Sequence, residues 1–294
     1  MAARILFVTG KGGSGKSTLS MGLAFEARQR GRRVLLLRFA GSTDRSAKAA
    51  DRRRDDGIEQ RLFDDTRDLE AFLTRILGFG FLARRLQSSS TFSAVATAAP
   101  GLRDLIALTT IAALARRRSG LLIVDAPSSG HSLPLLSAPS RVLGLVRFGP
   151  VAREAELARG LLADPAAFEA LLVASPEEFS INELRTLREE LRHAGVARSR
   201  VIVNGCWPDC TDGDLAMRDA IAAASPDAAS YLRRQQRQSL LLRELEAEVG
   251  ATGRVSQAFD GRPGSRPDLG RLLDAIDGDA SMAGRQAGAA GPKR

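Results

Sequence analysis

The stretch Arg4-Ile5-Leu6-Phe7-Val8-Thr9-Gly10-Lys11-Gly12-Gly13-Ser14-Gly15-Lys16-Ser17 is a β-rich apolar run that passes straight into a glycine loop, and the helical pattern of Ser17 to Gln29 follows. Gly10 to Ser17 fit G-x-x-x-x-G-K-S in the strand, loop, helix setting that this pattern requires. On residue frequencies, on the order of 0.004 chance matches are expected in a chain of this length. Glycines let successive backbone N–H groups converge on phosphate oxygens, and the helix that follows directs its positive dipole end at them. Gly12, Gly13, Ser14, Gly15, Lys16, Ser17 and Thr18 are therefore the candidate nucleotide-binding residues. Lys16 would bridge the β- and γ-phosphates, Ser17 would ligate Mg²⁺ and Thr18 would reach the α-phosphate. Only four of the 43 basic residues are lysines, and two of those four lie in this octet. A compact ammonium fits inside such a loop where a wide, planar guanidinium does not.

Outward from the loop the same alternation repeats. Apolar runs at Arg33 to Phe39, Leu121 to Asp125, Ala170 to Ala174, Val201 to Asn204 and Arg254 to Ala258 alternate with helical patterns at Leu102 to Arg117, Ser180 to Arg192, Asp212 to Ala224 and Ala228 to Glu248. Strands separated by helices imply an α/β fold with a doubly wound, mostly parallel sheet. Runs apolar at every residue, such as Leu121-Leu122-Ile123-Val124, suit central strands covered on both faces. Ser180-Ile181-Asn182-Glu183 has the form of a capping box, with Ile181, Leu184, Leu187 and Leu191 on one helical face. Residues 1–277 read as one domain with an insertion at about 42–100, and 278–294 as a disordered tail.

Composition narrows the class further. The 294 residues carry a net charge of +9, 44% are apolar and two are cysteines. That is too apolar for a disordered chain, and no run approaches the roughly 18 apolar residues of a membrane span. Two cysteines do not make a disulfide framework, and Arg4 to Thr9 leave no room for a cleavable signal, so the expected compartment is the cytoplasm. Runs such as Arg52-Arg53-Arg54 and Arg116-Arg117-Arg118 are mixed with acids or sit at helix ends. One Trp and one Tyr supply no stacking platform, so nucleic acid is not an expected partner.

A second signal is Leu121 to Asp125 followed by Ala126-Pro127-Ser128-Ser129-Gly130-His131, an apolar strand ending in a carboxylate that can hold a Mg²⁺-bound water. An ordinary phosphate loop has no role for Lys11, and here the octet resembles the deviant Walker-A ATPases with their K-G-G-x-G-K-S/T signature. Asp125 to His131, continuing through Leu135-Leu136-Ser137-Ala138-Pro139, is similar to switch II of the arsenical-pump and tail-anchor-targeting ATPases, the ArsA type. Pro100 to Leu105, Ser175 to Glu178, Asn182-Glu183 and Val201 to Asn204 agree with the same family. The resemblance implies a P-loop fold of the deviant Walker-A (SIMIBI) type, ATP and Mg²⁺ as cofactors, and hydrolysis in a nucleotide-sandwich homo- or heterodimer. It further implies that Lys11 acts in trans on the neighbour's phosphate and that Asn204 reads adenine. His131 matches the family's histidine.

Three departures bear on what can be carried over. The family's switch I places a water-polarising Asp after the second strand, but here that strand ends Leu37-Arg38-Phe39-Ala40-Gly41. Ala40 takes the Asp position and Asp44 lies four residues on, so Asp44 joins Lys11, Lys16 and Asp125 as a candidate catalytic residue. None of the four methionines lies in Ser140 to Phe168, where a tail-anchor carrier would need an adaptable apolar groove. Cys206 and Cys210 form only a C-x₃-C, short of a clustered-thiol site. The leading expectation is an ATP-driven dimeric switch coupled to a client protein. The alternatives are a weakly hydrolytic regulatory subunit of a heteromeric ATPase, or a partition-type ATPase of the MinD/ParA kind working on DNA or membrane.

Overall fold

β1 (Arg4–Gly10) is buried at every residue, because it lies in the middle of a seven-stranded parallel sheet ordered β3-β2-β4-β1-β5-β6-β7. The computed structural model describes residues 4–39, 58–77, 101–117, 119–207, 217, 220, 225–250, 252–256 and 268–278. In chain order the elements after β1 are α1 (Lys16–Gln29), β2 (Val34–Phe39), β3 (Glu59–Phe63), α2 (Asp65–Leu77), α3 (Leu102–Arg116) and β4 (Leu121–Asp125). Then follow α4 (Ser129–Leu145), α5 (Pro150–Ala163), β5 (Phe168–Ala174), α6 (Glu178–His193), β6 (Ser199–Cys206), α7 (Pro226–Val249) and β7 (Gly253–Ser256). A last helix, α8, covers 268–278.

Side-chain alternation along each strand feeds two separate cores. Ile5 and Phe7 of β1, Leu122 and Val124 of β4, and Leu172 and Ala174 of β5 pack beneath α3 to α7. Leu6, Val8, Leu121, Ile123, Leu171 and Val173 face α1 and α8. On that second side Leu269, Leu272, Leu273 and Ile276 of α8 are buried, each contributing roughly 2 kcal/mol before ordering costs. The lower edge of this face holds Glu169, fully buried, where alternation directs it beneath α8. Arg4, Arg200 (2.9 Å) and Arg198 (3.5 Å) surround it, so the carboxylate is paired where an isolated charge would be prohibitive.

The chain leaves β1 toward β2 on one side and later places β5 on the other. Such a switch point opens a crevice at the carboxyl ends of the strands. Several elements differ from the sequence reading. The insertion range contributes β3, paired in parallel with β2 at one edge of the sheet, and α2. The proline- and serine-containing stretch after Asp125 is helical from Ser129, where α4 begins, and the helix continues through Pro134 and Pro139. An internal proline costs a helix about 3 kcal/mol. Burial of Leu135, Leu136 and Val142 against neighbouring helices offsets it, and the Ser137 hydroxyl donates to the Leu133 carbonyl at 2.8 Å. Helices α5 and α8 likewise lie outside the helical patterns of the sequence.

The expected capping box does not form. α6 starts at Glu178, so Ser180 lies inside its first turn, where its buried hydroxyl accepts the backbone N–H of Ser175 at 3.1 Å. Glu183 instead accepts a hydrogen bond from the Ser129 hydroxyl of α4. The apolar face Ile181, Leu184, Leu187, Leu191 is buried as its spacing requires. Asp44, Ala40 and Cys210, most of the helix expected at Asp212 to Ala224, and the tail from 279 lie outside the described residues. Among the described residues no helix is long and apolar enough to cross a membrane.

Candidate functional site

The loop from Gly10 to Gly15 begins and ends on glycines whose backbones only glycine adopts without strain. Gly10 has φ +144°, and a Cβ there would stand 2.0 Å from the Val173 carbonyl oxygen of β5. Gly15 has φ +84°, and its Cβ would meet Asn204 Nδ2 at 2.2 Å. Between them the Lys11 carbonyl gathers three donors: the Ser14 N–H (3.3 Å), the Ser14 hydroxyl (2.9 Å) and Lys16 Nζ (2.7 Å). α1 then starts with Gly15 as its cap, without a side-chain capping bond and without an acid in its first turn. Its leading N–H groups, including those of Ser17 and Thr18, are thus directed to the loop mouth, where an anion can take them.

β4 delivers Asp125 to the same edge, in register with Val8 of β1 and Arg38 of β2. Burial pushes the Asp125 carboxyl above the ordinary aspartate value, while a hydrogen bond from Ser17, the Arg38 guanidinium and Lys16 act against that rise. Burial likewise lowers Lys16 from the ordinary lysine value, and Asp125 and Glu183 oppose it. A hydroxyl and a carboxylate in hydrogen-bond contact form a hard-oxygen donor pair. That pair fits Mg²⁺, which takes one or two protein oxygens and fills its octahedron with water and phosphate. Lys11 points elsewhere: its Nζ stands 3.8 Å from the ring centroid of Phe179, which is 69% exposed.

Asn204 of β6 donates from Nδ2 to the Ser14 carbonyl at 2.9 Å. The same residue borders a cavity of about 680 Å³ with Gly13, Trp207, Arg234, Arg237 and Gln238. Gln238 clamps Trp207 by accepting its N–H at 3.0 Å and donating to its carbonyl at 3.1 Å, and the indole meets Tyr231 edge-on at 4.9 Å. On the other flank the hydroxyls of Thr9 and Ser132 lie 2.6 Å apart, which ties β1 to the first turn of α4. His131 is exposed on that turn. Cys206 is buried and its thiol donates to the Val203 carbonyl at 3.4 Å; among the described residues no group of three or more His, Cys, Asp or Glu side chains could hold a metal ion by itself.

Residues 5–205 match the family described as the CobQ/CobB/MinD/ParA nucleotide binding domain, CbiA. The chain belongs to the CbiA family. Among relatives of this CbiA-family chain, ATPase BagA of Mycobacterium tuberculosis is 26% identical over 305 residues, covering 93% of the chain and 89% of BagA. The arsenical pump-driving ATPase of Acidiphilium multivorum is 27% identical over 251 residues, covering 74% of the chain and 41% of the relative. Its Escherichia coli counterpart is 26% identical with the same coverage. The ArsA-type resemblance and the parallel α/β fold read from sequence agree with these matches.

The structure brings Lys16, Ser17, Asp125 and Asn204 to one strand edge. It adds Arg38 and Trp207, which the motifs did not single out, and it places Glu183, expected to cap α6, beside Ser129 and Lys16. Arg38 could have been found, since it is the only charged residue in Val34–Phe39, and a charge at the end of an otherwise apolar central strand calls for a partner.

Proposed function

We propose that this CbiA-family chain is a Mg²⁺-dependent ATPase that works as a nucleotide-driven dimeric switch. The observation that carries the reading is the juxtaposition of the glycine loop, Lys16 and the Ser17–Asp125 pair at the open end of β1 and β4. The names of BagA and of the arsenical pump-driving ATPases support it. In this reading the backbone N–H groups of residues 12–18 and the Lys16 ammonium would bind the triphosphate, and Ser17 and Asp125 would hold Mg²⁺, which would supply further charge neutralisation there. Water attacks the γ-phosphorus, the bond to the bridging β–γ oxygen breaks, and ADP and phosphate leave. The protein's contribution is in-line placement and charge stabilisation. Lys11 would leave Phe179 to reach phosphate held by a second subunit. The test is steady-state phosphate release and size-exclusion chromatography with and without ATP and Mg²⁺. Lys11→Ala is expected to lose ATP-dependent dimerisation and to slow turnover by about 100-fold or more, while binding of ATP to the monomer persists.

A regulatory subunit that hydrolyses slowly is the second reading, and the observation favouring it is Ala40 where switch I of the resembled family carries its Asp. Phosphate release that rises only when a second ArsA-like subunit is added would select it. Asp44→Asn without loss of turnover would remove Asp44 from the catalytic set. Asn204 has two candidate roles, anchoring Ser14 and reading adenine. Asn204→Ala is expected to reduce ATP affinity about tenfold and to level the preference for ATP over GTP. An equal loss for both nucleotides, measured by competition binding, would leave it as an anchor of the loop alone.

A further inference from the structure

Arg38 stands directly opposite Asp125 in the β2–β4 register. Val34 and Leu36 of β2 face α1, as do Leu121 and Ile123 of β4. The alternation therefore puts Arg38 and Asp125 on the α1 face, beside the first turn of the helix that follows the glycine loop. Arg38 Nε is 3.7 Å from Asp125 Oδ2, with the arginine side chain 24% exposed and the aspartate 8%. The carboxylate is thus held between the Ser17 hydroxyl and a guanidinium. A permanent cation there competes with a divalent ion for the same oxygens. Its planar fork of donors is also the group best matched to a phosphate.

We propose that Arg38 is a cis-acting phosphate-binding residue that shares with the divalent cation the task of neutralising the triphosphate. In consequence the chain holds nucleotide with weak dependence on Mg²⁺ and binds Mg²⁺ less tightly than a site whose carboxylate is free. The inference rests on the reading that the loop holds ATP. It goes beyond it by assigning the cation requirement to a strand residue outside the phosphate-loop and Asp125 segments.

The test is equilibrium binding of a non-hydrolysable ATP analogue to the full chain in EDTA and in saturating Mg²⁺, followed by Mg²⁺ titration at saturating analogue, for wild type, Arg38→Ser and Arg38→Lys. Wild-type affinities in the two conditions should lie within about tenfold of one another. Arg38→Ser should lose about tenfold or more in EDTA, the worth of a charge-assisted hydrogen bond, yet bind Mg²⁺ several-fold more tightly because Asp125 is released. Arg38→Lys should fall between. A merely structural Arg38 would weaken both conditions by one factor, and that result, or no change in either, overturns the proposal. Melting curves of both variants establish that the folded protein is being compared. Absence of any analogue binding to wild type, with or without Mg²⁺, would instead overturn the ATP-site reading and this inference with it.

Discussion

Lys16→Ala is expected to lower ATP affinity by at least about 100-fold, read by isothermal titration calorimetry. Charge-assisted hydrogen bonds contribute about 1.5–3 kcal/mol each, and losing two at the β- and γ-oxygens corresponds to roughly 10² to 10⁴ in the dissociation constant. The folded state should survive. Among the described residues Lys16 Nζ makes one hydrogen bond, to the Lys11 carbonyl at 2.7 Å, and that carbonyl keeps the Ser14 N–H and hydroxyl as donors. The direct cost to stability is therefore about 1 kcal/mol, a shift of a few degrees in Tm. Affinity that stays unchanged would remove the phosphate site. A variant with an intact melting transition and no binding would tie the loss to the ammonium itself.

Gly10→Ala should have the largest effect on stability of any single methyl added to the loop. The residue closes β1 and pairs with Val173 of β5. Its φ of +144° is open to glycine alone, and a Cβ would lie 2.0 Å from the Val173 oxygen and 2.9 Å from the Val173 carbonyl carbon. Those atoms belong to a central strand, so no side chain can swing away. Backbone strain of this kind costs of order 1–3 kcal/mol before the clash is counted, and a total of about 4 kcal/mol or failure to fold is expected. Gly12→Ala is the control: among the described residues nothing lies within 4 Å of its Cβ position, and its φ is not positive. Its stability should stay within about 0.5 kcal/mol of wild type in urea unfolding. Equal stability of the two variants would contradict the packing of β1 on β5.

These two glycines show where the sequence is legible. The G-x-x-x-x-G-K-S motif fixes a glycine at Gly10 and leaves Gly12 at a free position, but it does not say what either backbone packs against. The neighbour that separates them, Val173, lies far along the chain and reaches Gly10 only through the β1–β5 register. The same holds for Asn204, whose amide reaches the Ser14 carbonyl of the loop, a partner far away in the chain.

The phosphate loop, the parallel α/β class and the buried face of α6 were determined by sequence alone, because each depends on residues contiguous in the chain or on a period of a few residues. Tertiary structure alone decided that α4 runs through two prolines, that Glu183 bonds to Ser129 of α4 in place of capping α6, and that the insertion range supplies an edge strand. It also decided that Arg38 meets Asp125. In every such case the outcome depends on which side chains distant segments present to one another, and a burial gain or an ion pair of a few kcal/mol across the sheet outweighs the local preference that the sequence displays.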